Sequence, residues 1–229
     1  MKKILLIILL LISNSIFAQD NNWVARFSPQ DLYFNQINIG VEFNQSKNSI
    51  IVDIGIPWNR QYYNKFNINH RNFSFDKLSS DVVRIAYRNY TSNNKKFGFY
   101  YEGYFKEQTI RSKFITQNPY VGVLNAYVYT TNLGAQLGYQ FIMWHRVLAD
   151  LYFFGIEAGR ANGRVIGESN TTQQAIYLYN IIENSVNNNI PRYARKNFHE
   201  YIYGIHTAGE LHSTIYPWIR SGISIVYRF

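Results

Sequence analysis

The chain has 229 residues, no cysteine and a formal charge of +9. Without cysteine there is no thiol chemistry, no Cys-based zinc site and no disulfide staple, so the fold must stand on its own packing. The basic excess is scattered, with no Lys/Arg run long enough for a nucleic-acid arm, and nucleic acid is not an expected partner. Beyond the amino terminus no apolar run approaches the roughly 18 residues a spanning helix needs.

Residues 1–18 have the layout of a secretory signal peptide. Lys2 and Lys3 give a positive start, Ile4 to Ile12 an apolar centre, and Ile16-Phe17-Ala18 a small-residue cleavage site before Gln19. Residues 19–229 then form the expected mature domain.

From there the chain alternates apolar and polar residues at a period of two, the signature of strands with two unlike faces. A short first strand, Trp23 to Ser28, sets Trp23, Ala25 and Phe27 against Arg26, and Pro29 ends it. The second, Ile37 to Asn44, and the third, Ile50 to Ile56, flank a tight polar turn at Gln45–Asn48. Polar residues 59–80 follow. In the fourth strand Val83, Ile85 and Tyr87 oppose Arg84, Ala86 and Arg88. In the fifth, Phe97, Phe99, Tyr101 and Phe105 oppose Gly98, Tyr100, Glu102 and Lys106. The sixth places Leu133, Ala135, Leu137, Tyr139 and Phe141 opposite Asn132, Gly134, Gln136, Gly138 and Gln140. The seventh, Val147 to Arg160, does not sort, because Asp150 and Glu157 have opposite parity; one lies at a rim or a bulge breaks the phase. A connection over about 161–217 carries two helical periodicities: Ala175, Leu178, Ile182 and Val186, then Ala194, Phe198, Tyr201, Ile202 and Ile205. A last strand, Ile219 to Phe229, is apolar on one face and carries Arg220, Gly222, Ser224 and Arg228 on the other.

Short and long connections alternate, as they do in outer-membrane barrels with an even number of strands. Alternation alone does not say which face is outside. A glycine-rich polar face, opposite charges distributed over it, and Trp58, Trp144 and Trp218 at strand ends all favour apolar-out. The fold class expected is therefore all-β: an eight-stranded antiparallel transmembrane β-barrel with long external loops, the last partly helical. The inward polar set is Arg26, Glu42, Asp53, Arg84, Arg88, Glu102, Lys106, Gln136 and Arg220, read as a packed lumen network rather than a channel lining.

The closing strand, with its terminal aromatic, resembles that of outer-membrane β-barrels. In general build the chain resembles the small OmpA- and OmpX-like barrels, and in its Asn/Ile/Lys/Tyr-rich strands the barrels of unknown function of Bacteroidota. The resemblance implies an outer-membrane location and contact with outer-membrane lipid and lipopolysaccharide. It also implies that Tyr227 and Phe229 form a signal read by the barrel-assembly machinery.

Sites for chemistry are weak. His199-Glu200-Tyr201-Ile202-Tyr203 lacks the second histidine of a zinc helix. His212-Ser213 has no orienting carboxylate placed by the sequence. No catalytic, cofactor-binding or metal-binding residue is assigned. The function expected is non-enzymatic, structural or mediated by the external loops, whose partner is not identified. The alternatives are an outer-membrane lipid A-modifying hydrolase and a secreted lipocalin-like calyx for a small apolar ligand.

Overall fold

The structure is a computed structural model. It describes residues 22–58, 65–68, 71–91, 97–116, 123–169, 171–189, 196–203 and 205–228. The expected signal peptide, residues 1–18, and Phe229 lie outside them.

Ten strands and one α-helix occur among the described residues. In chain order they are β1 (Trp23–Ser28), β2 (Gln36–Gln45), β3 (Asn48–Pro57), β4 (Lys65–Ile68), β5 (Arg71–Tyr90), β6 (Gly98–Thr116), β7 (Val123–Trp144), β8 (Val147–Glu168), α1 (Thr172–Asn189), β9 (Phe198–Tyr203) and β10 (His206–Arg228). Eight of the strands form an antiparallel ring in the order β1-β2-β3-β5-β6-β7-β8-β10. Pairing of Val24 with Arg228 through to Phe27 with Ile225 joins the last strand to the first. At the end of the ring where β1 begins and β10 ends, two tight turns take left-handed residues, Ser46 (φ 56°) and His145 (φ 25°).

The ring strands are unequal. β1, β2 and β3 have 6, 10 and 10 residues, whereas β7, β8 and β10 have 22, 22 and 23. The wall is therefore low on one side and tall on the other. The tall strands go well past the expected boundaries: β8 runs on to Glu168 and β10 begins at His206, so the expected connection over 161–217 is mostly strand. The physical reason is a change of face. Toward the termini the inward positions are ionic and the outward ones are apolar. Further along, apolar Leu124 and Ala161 are buried inside while Glu107, Arg111, Arg160, Arg164 and Glu168 are exposed. An apolar-out template stops matching where the two faces exchange character.

β8 accommodates Asp150 and Glu157 through a bulge. Leu137 pairs with Phe154 but Gly138 with Tyr152, and on the other side Arg220 pairs with Gly155 but Gly222 with Tyr152. One extra residue in β8 lets Phe153 and Phe154 both face outward, 54% and 48% exposed, and returns Asp150 and Glu157 to the same interior.

Two further expectations change. Residues 198–203, with helical spacing in the sequence, are strand β9, paired with 206–211 of β10. Because β1 is so short, the far part of β10 would expose a bare edge; β9 covers it with aromatic and β-branched residues suited to a strand. Trp58 and Trp144 do close their strands, but Trp218 pairs with Glu157 in the middle of β10.

The helix expected around Ala175 is α1. Ala175, Leu178 and Ile182 are buried, and the Thr207 hydroxyl donates to the Ala175 carbonyl at 2.8 Å. Gly167 and Gly209 allow this approach: a side chain there would meet Leu178 or Ile182. α1 thus packs against β8, β9 and β10 in the far half of the ring.

Candidate functional site

Alternation places inward residues from seven of the eight ring strands, β1 to β3 and β5 to β8, at mid-height, and these side chains meet. Arg26 holds Glu42 at 2.7 Å and Asp150 at 2.5 Å through its two terminal nitrogens. Arg84 bridges Asp53 at 2.5 Å and Glu102 at 2.6 Å. Arg88 bridges Glu102 at 2.7 Å and Asp150 at 2.9 Å, with its guanidinium 3.7 Å from the centre of the Tyr100 ring. Gln136 donates to Glu102 at 2.9 Å, and the Tyr100 hydroxyl donates to Asp150 at 2.6 Å. All are buried. Three guanidinium groups and four carboxylates thus neutralise one another almost completely, with hydrogen bonds taking up remaining lone pairs, as buried ions require.

The interior is crowded enough to dictate small neighbours. Tyr100 and Tyr104 lie over Gly138 and Gly134, their partners on β7, where any larger residue would collide with the rings.

Lys106 and Arg220 belong to a second cluster, centred on Glu157. Lys106 lies 2.7 Å and Arg220 3.8 Å from that carboxylate. Asn132 donates to it at 2.7 Å and the Tyr104 hydroxyl at 2.9 Å. The Tyr104 ring stands between Arg84, at 5.5 Å, and Arg220, at 5.1 Å. Asp150 and Glu157 are the key residues left out of the expected set. Their signal was their very presence in an otherwise apolar strand, and only the bulge reconciles their parity.

Above the second cluster lies a cavity of about 750 Å³. Lys106, Glu157, Arg220 and Tyr152 form its floor and Leu78, Ile110, Val128 and Ala161 its upper wall. On the low side it is bounded by Gln30 and Asp31 of the 3-10 turn Pro29–Phe34, which follows β1.

At the far end, His199 and His212 have ring centres 5.6 Å apart, and His212 Nε2 lies 3.5 Å from Glu210. Among the described residues no group of three or more histidines and carboxylates is placed to hold a metal ion. On β9, burial first and then the charge of Glu183 on α1 raise the Glu200 carboxyl above the ordinary range, while a hydrogen bond from Tyr179 opposes them. Tyr227 is exposed on β10 beside Ala25.

Comparison with protein-family models, with curated proteins and with solved structures found no match for this chain.

Proposed function

We propose that this protein is an integral outer-membrane β-barrel, non-enzymatic, with a structural or binding role at the cell surface. The observation that carries the reading is the inverted distribution of polarity in the terminal half of the ring. Ile54, Ile85, Leu133, Ile156 and Ile219 face outward and are 48, 51, 68, 55 and 72% exposed, while the charges are inside. In water such a band would cost roughly 25 cal/mol per Å² of apolar surface; in hydrocarbon it costs nothing.

The band ends where outward residues become Asp81, Glu107 and Arg160. Beyond it, exposed Tyr127 and Tyr129 on β7 fit an interfacial aromatic belt. A tilted strand crosses a bilayer in about 9–11 residues, so the 22 residues of β7 leave about half its length outside. That far half is apolar inside, packed on α1, and polar outside, as a domain in water must be. It would stand at the cell surface and carry the binding role, with Arg160 among the cations near lipopolysaccharide phosphate. The short turns and the carboxyl terminus face the periplasm, where the assembly machinery would engage Tyr227 and Phe229. A secreted calyx would account for the far half alone and would leave the apolar band in water.

Expression in a Gram-negative host followed by membrane fractionation tests the reading. The protein should co-fractionate with outer membrane and migrate faster unboiled than boiled on a denaturing gel. Recovery in the soluble fraction without detergent would sink it.

A further inference from the structure

The cavity above Glu157 is not closed all round. Four consecutive residues of β10, Trp218 to Ser221, line it. Consecutive strand residues point to opposite faces, so the cavity reaches around the edge of β10 to the outer surface of the ring. The pairing explains how. On the side away from β8, β10 meets β1 at 225–228 and β9 at 206–211. Among the described residues no strand pairs with β10 between these stretches. There, the Gln30 side chain accepts from the Ile223 amide at 2.9 Å. Ile219, on this edge, is 72% exposed in the outward apolar band.

From this geometry we propose that the cavity binds one single-chain amphiphile, entering sideways from the bilayer along the bare edge of β10. The inference rests on the outer-membrane reading, since it takes the apolar band to lie in lipid. The volume falls in the range of about 300 to 1,000 Å³ usual for small-molecule sites, too little for a two-chain lipid. The upper wall, with Leu78, Ile110, Val128 and Ala161, suits a hydrocarbon chain. The floor and side hold two cations, Lys106 and Arg220, and two carboxylates, Glu157 and Asp31. These charges cancel, and Lys106 is already paired with Glu157 at 2.7 Å. A lone ionic head buried there would lack a counter-charge, so the head is zwitterionic or uncharged and is held by hydrogen bonds.

Trp218 lines the cavity and supplies the probe. Trp23, Trp58 and Trp144 are replaced by Phe, and the protein is folded into phosphatidylcholine vesicles. Lysophosphatidylcholine brominated along its chain is then titrated in. Trp218 emission should be quenched saturably, at one probe per chain. Filling the cavity with Ala161→Phe, or with Val128→Phe should the first fail to fold, should weaken that binding by about tenfold or more. Should the protein lacking the other three tryptophans not fold, native mass spectrometry of the unmodified chain with the same probe should show one retained adduct. Quenching that rises linearly with probe fraction and is equal in the filled variants overturns the site, as does the lack of an adduct. Brominated palmitate binding about tenfold tighter than the lysolipid overturns the assignment of the head. Failure to insert into vesicles at all would count against the outer-membrane reading, whereas insertion without saturable quenching would count against this inference alone.

Discussion

Asp150 ties three other ring strands together. It lies 2.5 Å from Arg26, 2.9 Å from Arg88 and 2.6 Å from the Tyr100 hydroxyl, with no exposed surface. Asp150→Asn keeps the shape but breaks the ion pairs to Arg26 and Arg88, which retain Glu42 and Glu102, and sets an amide N–H among groups that are all donors. Breaking a buried pair from one side costs about 3–5 kcal/mol, so the variant should lose that much stability in denaturant unfolding from lipid vesicles. Lys106→Met should lose clearly less, because Lys106 is partly exposed and Arg220 stays beside Glu157. Equal losses would show that the two clusters do not differ in the way their burial implies. Inward residues such as Arg26, Arg84 and Glu102 were legible in the sequence because unbroken alternation sorts them. Asp150 and Glu157 were not, since a period-two reading cannot cross the extra residue at Phe153–Phe154.

At the level of elements, the exchange of faces along the tall strands separates two environments. Ile54 on β3 faces outward in the apolar band, and Glu107 on β6 faces outward beyond it. Arg at the bilayer midplane costs roughly 2–4 kcal/mol, whereas a substitution on a wet surface usually stays within about 0.5 kcal/mol. Ile54→Arg should therefore destabilise the folded protein in vesicles and Glu107→Arg should not; similar losses would remove the boundary. The joint between α1 and β9 gives a second test. Glu200 binds its proton more tightly folded than unfolded, first because it is partly buried and then because Glu183 is near. The contribution is complete below the ordinary carboxylate pKa and is lost as pH rises through the raised folded value. Hydrogen exchange of α1, corrected for intrinsic rates, should show protection falling as pH rises above the ordinary glutamate pKa, and Glu183→Gln should flatten that fall. A pH-independent protection would remove Glu200 from the joint. Neither β9 nor the far half of β10 was legible as strand: Phe198, Tyr201 and Ile202 fit a helical spacing equally well, and what decides between them is an edge of β10 left bare by a short β1 far away in sequence.

For the whole molecule, ring closure and strand number followed from local alternation and from the rhythm of the connections, both of which a sequence displays. The unequal wall did not, because it depends on how far each strand continues once its two faces have exchanged character. That inequality bears on whether the molecule conducts. A tall, open ring suggests a pore, yet the route through it is blocked twice. At mid-height Arg26, Arg84, Arg88 and their carboxylates meet across the interior, each at most 7% exposed. Nearer the termini Val24, Leu148 and Val226 form an apolar cluster with Phe97 against it. An ion crossing would have to part charge pairs at 2.5 to 2.9 Å and then shed its water beside aliphatic side chains, each step costing several kcal/mol. The side opening at β10 lies on the far side of both barriers and leads only to the cavity. Reconstituted into planar bilayers, the protein should therefore leave conductance at the level of the bare membrane. Steady, reproducible channels in the unmodified protein would mean that the charged layer is not the closed barrier its geometry implies.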